Sequence, residues 1–174
     1  MGSLADNVKQ SIRSIPDFPK KGILFRDITP LLMDGEKFKR CIRWFASLGE
    51  EKPDYVISIE SRGFIFGSAL ACEIEAGFVP IRKEGKLPHQ TFRMSYELEY
   101  GEATLEIHAD AMTKGKKAVI VDDVLATGGT MQAAIKLSER CGVKINGLYF
   151  LIELEDLGGR RLLKNYPIHS LISY

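Results

Sequence analysis

Residues 119–130 read Val119-Ile120-Val121-Asp122-Asp123-Val124-Leu125-Ala126-Thr127-Gly128-Gly129-Thr130. From Ala118 to Val121 the chain is an unbroken apolar run of β-forming residues. A strand buried on both faces reads this way. Two adjacent carboxylates follow at its carboxyl end, then a Gly-Gly turn. Met131, Ala134, Ile135 and Ser138 then recur at helical spacing, and Gly142 stops that helix. Strand, turn and helix in this order form one unit of an α/β fold. Ligands of open α/β sheets bind at the carboxyl ends of the strands.

A Gly-Gly turn alone is most simply a helix cap beside solvated aspartates. The whole segment says more. Ionised carboxylates accept hydrogen bonds and donate none. A vicinal diol, such as the 2- and 3-hydroxyls of a ribose, offers two donors at matching separation. The turn is complementary to this, because Gly128 and Gly129 let backbone N–H groups come close to a ligand. Thr127 and Thr130 add hydroxyls, and the following helix carries partial positive charge at its start. A diol clamp beside a monophosphate cradle fits a ribose 5-phosphate. The turn is no Walker A loop, since no Gly-Lys-Ser/Thr follows, and GxGxxG is absent.

The same pattern repeats outward. Tyr55 to Ile59 is a short apolar run that ends in Glu60-Ser61-Arg62-Gly63, and a helix is expected from Phe64 to Glu75. Strands are expected at Phe78–Ile81, Leu148–Leu154 and Ile168–Ile172. Alternating strands and helices predict an α/β domain with a mostly parallel sheet. Upstream, Leu4, Val8, Ser11 and Ile15 share one face of an opening helix that Pro16 ends. Asp17 to Gly22 reads as loop, and Ile23 to Leu32 as an irregular strand-and-turn segment. Asp34 is placed to cap a helix carrying Phe38, Cys41, Ile42, Phe45 and Leu48. Lys83 to Arg93 is polar, basic and without period, hence a surface loop. Leu98 to Ile107 suits a hairpin turning at Tyr100-Gly101.

The 174 residues suggest one domain, and an apolar fraction of 45% is globular. A formal net charge of +1 argues against a nucleic-acid binder working through a global basic field, so any anion site is local. Cys41, Cys72 and Cys141 form no CxxC, which argues against a disulfide framework or zinc site and fits a reducing compartment. No apolar run is long enough for a membrane span. The start lacks the pattern of a signal peptide, and Asp6 stands where a myristoylation signal wants Ser or Thr. A cytoplasmic protein is expected. Ser61 and Arg62 are donors suited to phosphate oxygens, whereas Arg82, Lys83, Lys86, His89 and Arg93 crowd one loop that is either solvated or anion-binding. His108 and His169 read as structural.

The acid-and-glycine segment resembles the phosphoribosyl pyrophosphate signature of type I phosphoribosyltransferases, and the resemblance extends from Pro16 to about Arg161. It implies the fold of that family: a central, mostly parallel sheet flanked by helices in a single domain spanning 1–174. It also implies a small hood at about 16–34 and a flexible flap at about 83–101. Asp122 and Asp123 would hold the ribose hydroxyls, and Ala126, Thr127, Gly128, Gly129 and Thr130 the 5-phosphate. Ser61, Arg62, Lys86 and Arg82, the last from a neighbouring subunit, would take the pyrophosphate. In this family a cis peptide can occur at the position of Glu60–Ser61, a point the sequence leaves open.

Three segments resemble the adenine branch of the family: Phe25 to Leu32, Leu98-Glu99-Tyr100-Gly101, and Leu105-Glu106-Ile107-His108 with Asp110-Ala111. The resemblance implies that backbone atoms around Leu24 and Arg26 read the purine edge. Phe25 would stack on the ring and Leu154 would close its other face. Tyr100 would line the site, and Glu99 would manage the imidazole proton. Arg62, Lys86 and Glu99 are thus the expected catalytic set. Mg²⁺ is the implied cofactor, held mainly by substrate and water rather than by protein ligands. The implied activity is a step of purine salvage in a homodimer, with adenine and phosphoribosyl pyrophosphate as partners and no nucleic acid or membrane. Two alternatives stay open. One is transfer to xanthine, guanine or orotate. The other is a non-catalytic sensor of the sugar diphosphate, which should carry an appended nucleic-acid module or basic face.

Overall fold

A computed structural model describes residues 2–97 and 101–174. Leu98, Glu99 and Tyr100 lie outside the described residues, so the expected hairpin turn falls partly there. The chain opens with α1 (Leu4–Gln10), whose Ser3 and Asp6 form a reciprocal capping box. The strands β1 (Arg13–Pro16) and β2 (Leu24–Asp27) follow and pair antiparallel as a separate ribbon. Next come α2 (Thr29–Met33) and α3 (Gly35–Ala46), the latter capped as expected by Asp34 Oδ1, which accepts from Lys37 N at 3.0 Å. The main body continues with β3 (Tyr55–Ile59), α4 (Gly63–Glu73), β4 (Gly77–Lys83), β5 (Thr91–Glu97), β6 (Glu102–His108) and β7 (Lys117–Leu125). It ends with α5 (Gly129–Arg140), β8 (Lys144–Glu153), a 3-10 turn at Glu155–Leu157, α6 (Gly159–Leu162) and β9 (Ile168–Ser173).

One sheet has the order β5-β6-β4-β3-β7-β8-β9. β4, β3, β7, β8 and β9 run parallel, and β6 is antiparallel to both β4 and β5. Side chains alternate across the sheet. Ile57, Ile59, Ile120 and Phe150 pack with Met131, Ile135 and Leu137 of α5 on one face. Val56, Val119, Val121 and Leu151 pack with Phe45 of α3 and Phe66 and Leu70 of α4 on the other. The central strands are therefore buried on both sides, as their unbroken apolar runs require.

Three expectations need correction. The first helix stops at Gln10, and Ile15 lies instead in β1, paired with Phe25. Pairing with β2 outweighs the apolar periodicity that carries the helix on to Ile15. The segment read as loop to Arg93 contains the start of β5, because Phe92, Met94 and Tyr96 alternate onto the α5 side while Thr91, Arg93 and Ser95 face away. The acid pair lies inside β7 rather than just past it, and that strand runs on to Leu125. Phe18–Pro19 is the cis peptide among the described residues, so Glu60–Ser61 is trans.

Candidate active site

The acids of β7 meet the loop after β3 at the carboxyl edge of the sheet. Asp122 Oδ1 accepts from the N–H of Asp123 at 2.9 Å and lies 3.3 Å from the Ser61 hydroxyl. Ser61 Oγ in turn accepts the N–H of Gly63 at 3.1 Å, which starts α4 tightly against the acid. A Cβ at Gly63 would collide with Asp122 Oδ1, so glycine is required there by close approach.

Asp123 is 4% exposed, with Arg62 Nε 2.8 Å from its Oδ2. That oxygen is buried and accepts no well-aligned hydrogen bond, so it keeps acceptor capacity. Arg62 also donates from Nη1 to the carbonyl of Arg26 at 3.4 Å, and its guanidinium lies 4.9 Å from the Phe25 ring centroid. One arginine thus touches Asp123 and the β1–β2 ribbon together. Burial pushes the Asp122 carboxyl up to about 8, helped by the charge of Asp123. Burial also raises Asp123, against the pull of Arg62. Two crowded carboxylates with one cation between them resist ionising together.

Beside the acids opens a cleft of about 320 Å³, near the low end for small-molecule sites. Ser61, Asp122, Ala126, Thr127, Gly128 and Thr130 line it, all expected site residues. Gly128 holds φ +87°, and a Cβ there would press on the carbonyl of Gly159. No side chain caps α5, so its first N–H groups have no side-chain acceptor. A helix start of this kind is chemically suited to an anion. Another hollow of about 240 Å³ lies beside Phe45, Leu48 and Tyr149. The Tyr149 hydroxyl is already donated to Leu48 O at 3.2 Å there, and none of the residues expected at the site lines it. The acid-lined cleft is the candidate.

The remaining expected residues are placed around this centre. Gly129 begins α5. Arg82 does not line the cleft; its Nη2 is 2.6 Å from Glu60 Oε1 and its Nη1 donates to Lys86 O at 2.8 Å. The Arg82 guanidinium holds the Glu60 carboxyl below its ordinary range. Lys86 is exposed, away from the cleft lining. Leu24, Phe25 and Arg26 occupy β2, where Phe18 packs edge-on to Phe25 with ring centroids 5.1 Å apart. The Arg26 guanidinium lies 3.6 Å from the Tyr174 ring centroid. Leu154 follows β8, its N–H donating to Leu125 O at 2.9 Å, so it borders the end of β7. Glu99 and Tyr100 fall outside the described residues. Tyr96 was missed by the sequence reading; it lines the cleft with its hydroxyl 3.4 Å from Thr130 Oγ1. The alternation Phe92, Met94, Tyr96 was the available signal.

A family model described as "Phosphoribosyl transferase domain" matches residues 32–172. The chain is 53% identical over 169 residues to an adenine phosphoribosyltransferase of Carboxydothermus hydrogenoformans, covering 97% of this chain and 99% of that one. Among solved structures it is similar to an adenine phosphoribosyltransferase from Thermoanaerobacter pseudethanolicus, with TM-score 0.94 and 50% identity, over 98% of this chain and 99% of that chain. It is also similar to the Saccharomyces cerevisiae adenine phosphoribosyltransferase complexed with an imino-altritol bisphosphate and adenine. That match has TM-score 0.93 and 40% identity, over 98% and 99% of the two chains.

Proposed function

From the premise that the chain belongs to the phosphoribosyltransferase family, we propose that it transfers the 5-phosphoribosyl group from phosphoribosyl pyrophosphate to adenine, giving AMP and pyrophosphate in purine salvage. One observation carries the reading. At the end of β7, Asp122 lines the same cleft as the uncapped start of α5, and Asp123 next to it is buried against Arg62.

The residues divide the substrate between them. The mouth formed by residues 126–130 takes the 5-phosphate through backbone N–H groups and the hydroxyls of Thr127 and Thr130. Asp122 and Asp123 accept from the ribose hydroxyls. Ser61, Arg62 and Lys86 serve the departing pyrophosphate. The ribbon of β1 and β2 acts as the hood, where the backbone of Leu24 and Arg26 reads the purine edge and Phe25 stacks on it. Leu154 borders the opposite side. Glu99 and Tyr100 belong to the flap, with Glu99 taking the proton that adenine must lose. Most of the rate enhancement then comes from positioning and from stabilising separated charge.

Among the described residues no group of three His, Cys, Asp or Glu is placed to hold a metal ion. The donor chemistry still suits Mg²⁺ carried on the substrate, because Arg62 pairs with Asp123 alone and the Asp122 carboxyl, raised by burial and then by the charge of Asp123, has no cation of its own among the described ion pairs. When bound, Mg²⁺ would neutralise phosphate charge beside Asp122 and Asp123, with water and substrate oxygens as its main ligands. A homodimer fits Arg82 standing outside its own cleft and Met33 being 80% exposed. Three free thiols fit the reducing cytoplasm. The test is a product assay with adenine, Mg²⁺ and phosphoribosyl pyrophosphate, run beside xanthine, guanine and orotate. AMP is the expected product. Turnover of another base without adenine would overturn the specificity, and sugar-diphosphate binding without any product would favour a sensor.

A further inference from the structure

Glu106 is a buried acid for which the proposed reaction has no use. It lies in the middle of β6 and is 1% exposed, a rare state for a glutamate unless it is paired. Its partners come from the segment joining β4 to β5 and from the first residues of β5. Gly85 N–H donates to Oε2 at 2.9 Å, Arg93 Nε lies 2.8 Å from Oε1, and the Thr91 hydroxyl donates to Oε1 at 3.4 Å.

The strand register sets Arg82 of β4 and Arg93 of β5 opposite Glu106 on its two sides. Beyond Arg82 stands Glu60, and Arg93 reaches Glu84 Oε1 at 3.1 Å. Acid and arginine therefore alternate in the order Glu60, Arg82, Glu106, Arg93. The turn after β4 is tied to this row at two successive residues. Gly85 gives its N–H to Glu106, and Lys86 gives its carbonyl to Arg82. Lys83, at the start of the same turn, lines the cleft.

We propose that Glu106 is a positioning residue for the pyrophosphate side of the site. It fixes the turn from Lys83 to Lys86 so that these ammonium groups stand ready for the diphosphate. This rests on the reading that the cleft takes phosphoribosyl pyrophosphate. The physical warrant is that a buried carboxylate adds little net stability but constrains geometry when its donors, here Gly85 of the turn with Thr91 and Arg93 of β5, tie two neighbouring segments to one strand.

Glu106→Gln keeps the shape, removes the charge facing Arg93 and turns a donor toward one of the present donors. The KM for phosphoribosyl pyrophosphate and the inhibition constant of inorganic pyrophosphate should each rise about fivefold or more, with the KM for adenine within about twofold of wild type. Arg93→Gln, at a side chain 60% exposed, should act in the same direction more weakly, and it decides alone if the Glu106 variant does not fold. Unchanged pyrophosphate-side constants in folded variants would overturn the proposal. So would an equal loss for both substrates that follows the melting temperature. If wild-type protein forms no AMP, the transferase reading fails instead. Calorimetric binding of magnesium pyrophosphate then decides the role of Glu106, with equal affinity in wild type and variant counting against it.

Discussion

Replacing Arg62 with leucine removes the cation paired with the buried Asp123, and its effect should depend on pH. Stripping a partner from a buried ion pair costs about 3–5 kcal/mol. The Arg62 side chain is 36% exposed, so water already screens part of this pair and about 1–3 kcal/mol remains. Loss of the contact with Phe25 adds about 0.5 kcal/mol at any pH. The larger part exists only while Asp123 is ionised. Burial already holds that carboxyl above its ordinary value, with Arg62 pulling it down, so the variant raises it further. A carboxyl whose folded pKa exceeds its unfolded one binds its proton more tightly in the native state. Stability then falls as pH climbs from the unfolded value toward the folded one. Urea unfolding at pH 5 and pH 8 should therefore show the variant losing less at the lower pH than at the higher. An equal loss at both values would refute the claim that Arg62 compensates Asp123.

Asp122→Asn should raise the KM for phosphoribosyl pyrophosphate about tenfold or more while leaving the domain folded. The wild-type carboxyl is raised to about 8, so its charge burdens the fold at pH 8, where the variant should melt no lower than wild type. Unchanged kinetics would remove Asp122 from the diol clamp. For the same reason, wild-type affinity for the sugar diphosphate should increase between pH 6 and pH 8 as Asp122 ionises, and a flat titration would contradict an ionised acceptor. Glu99→Ala should lower kcat about 10²-fold or more with little change in melting temperature, since its assigned task is proton transfer. A purely thermal effect would count against that role. Gly63→Ala drives a methyl group into Asp122 and should cost about 1–3 kcal/mol together with sugar-diphosphate affinity. A silent substitution would show that the acid is not held where the geometry puts it.

What the sequence made legible follows from the range of each interaction. β3 and β7 sit at the centre of the sheet, so burial on both faces leaves an apolar run that needs no partner to be recognised. The phosphate-type mouth is equally local, because residues 126–130 supply it almost alone. β5 is an edge strand with one polar face, and Arg93 between Phe92 and Met94 obscured its period. The end of the first helix was misplaced because pairing with β2, not local preference, takes Ile15 into a strand. The partners of Arg62 were invisible for the same reason. Asp123 lies 61 residues away and Arg26 lies 36 away, and no spacing rule joins them. Sequence resemblance assigns Arg62 to phosphate alone, whereas in the structure it holds Asp123 and the Arg26 carbonyl of β2 together.

That pairing divides the charges at this edge into two kinds. Arg62 is held by Asp123, Arg82 by Glu60 and Arg93 by Glu106, so each of these guanidinium groups has an acid beside it. A sugar diphosphate brings hydroxyls that need acceptors and phosphates that need cations. It can therefore take Asp123 and Arg62 from each other and satisfy both, at the cost of breaking their contact. The Glu106–Arg93 pair has no such reason to exchange. Its acid is fully buried and held by the Gly85 N–H, the Thr91 hydroxyl and Arg93. These pairs keep any charge from standing alone in a poorly solvated place. A sugar diphosphate would exchange one pair and keep the other. Substitutions should separate accordingly: changes at Arg62 move substrate affinity and the pH dependence of stability together, whereas changes at Glu106 move pyrophosphate-side affinity alone.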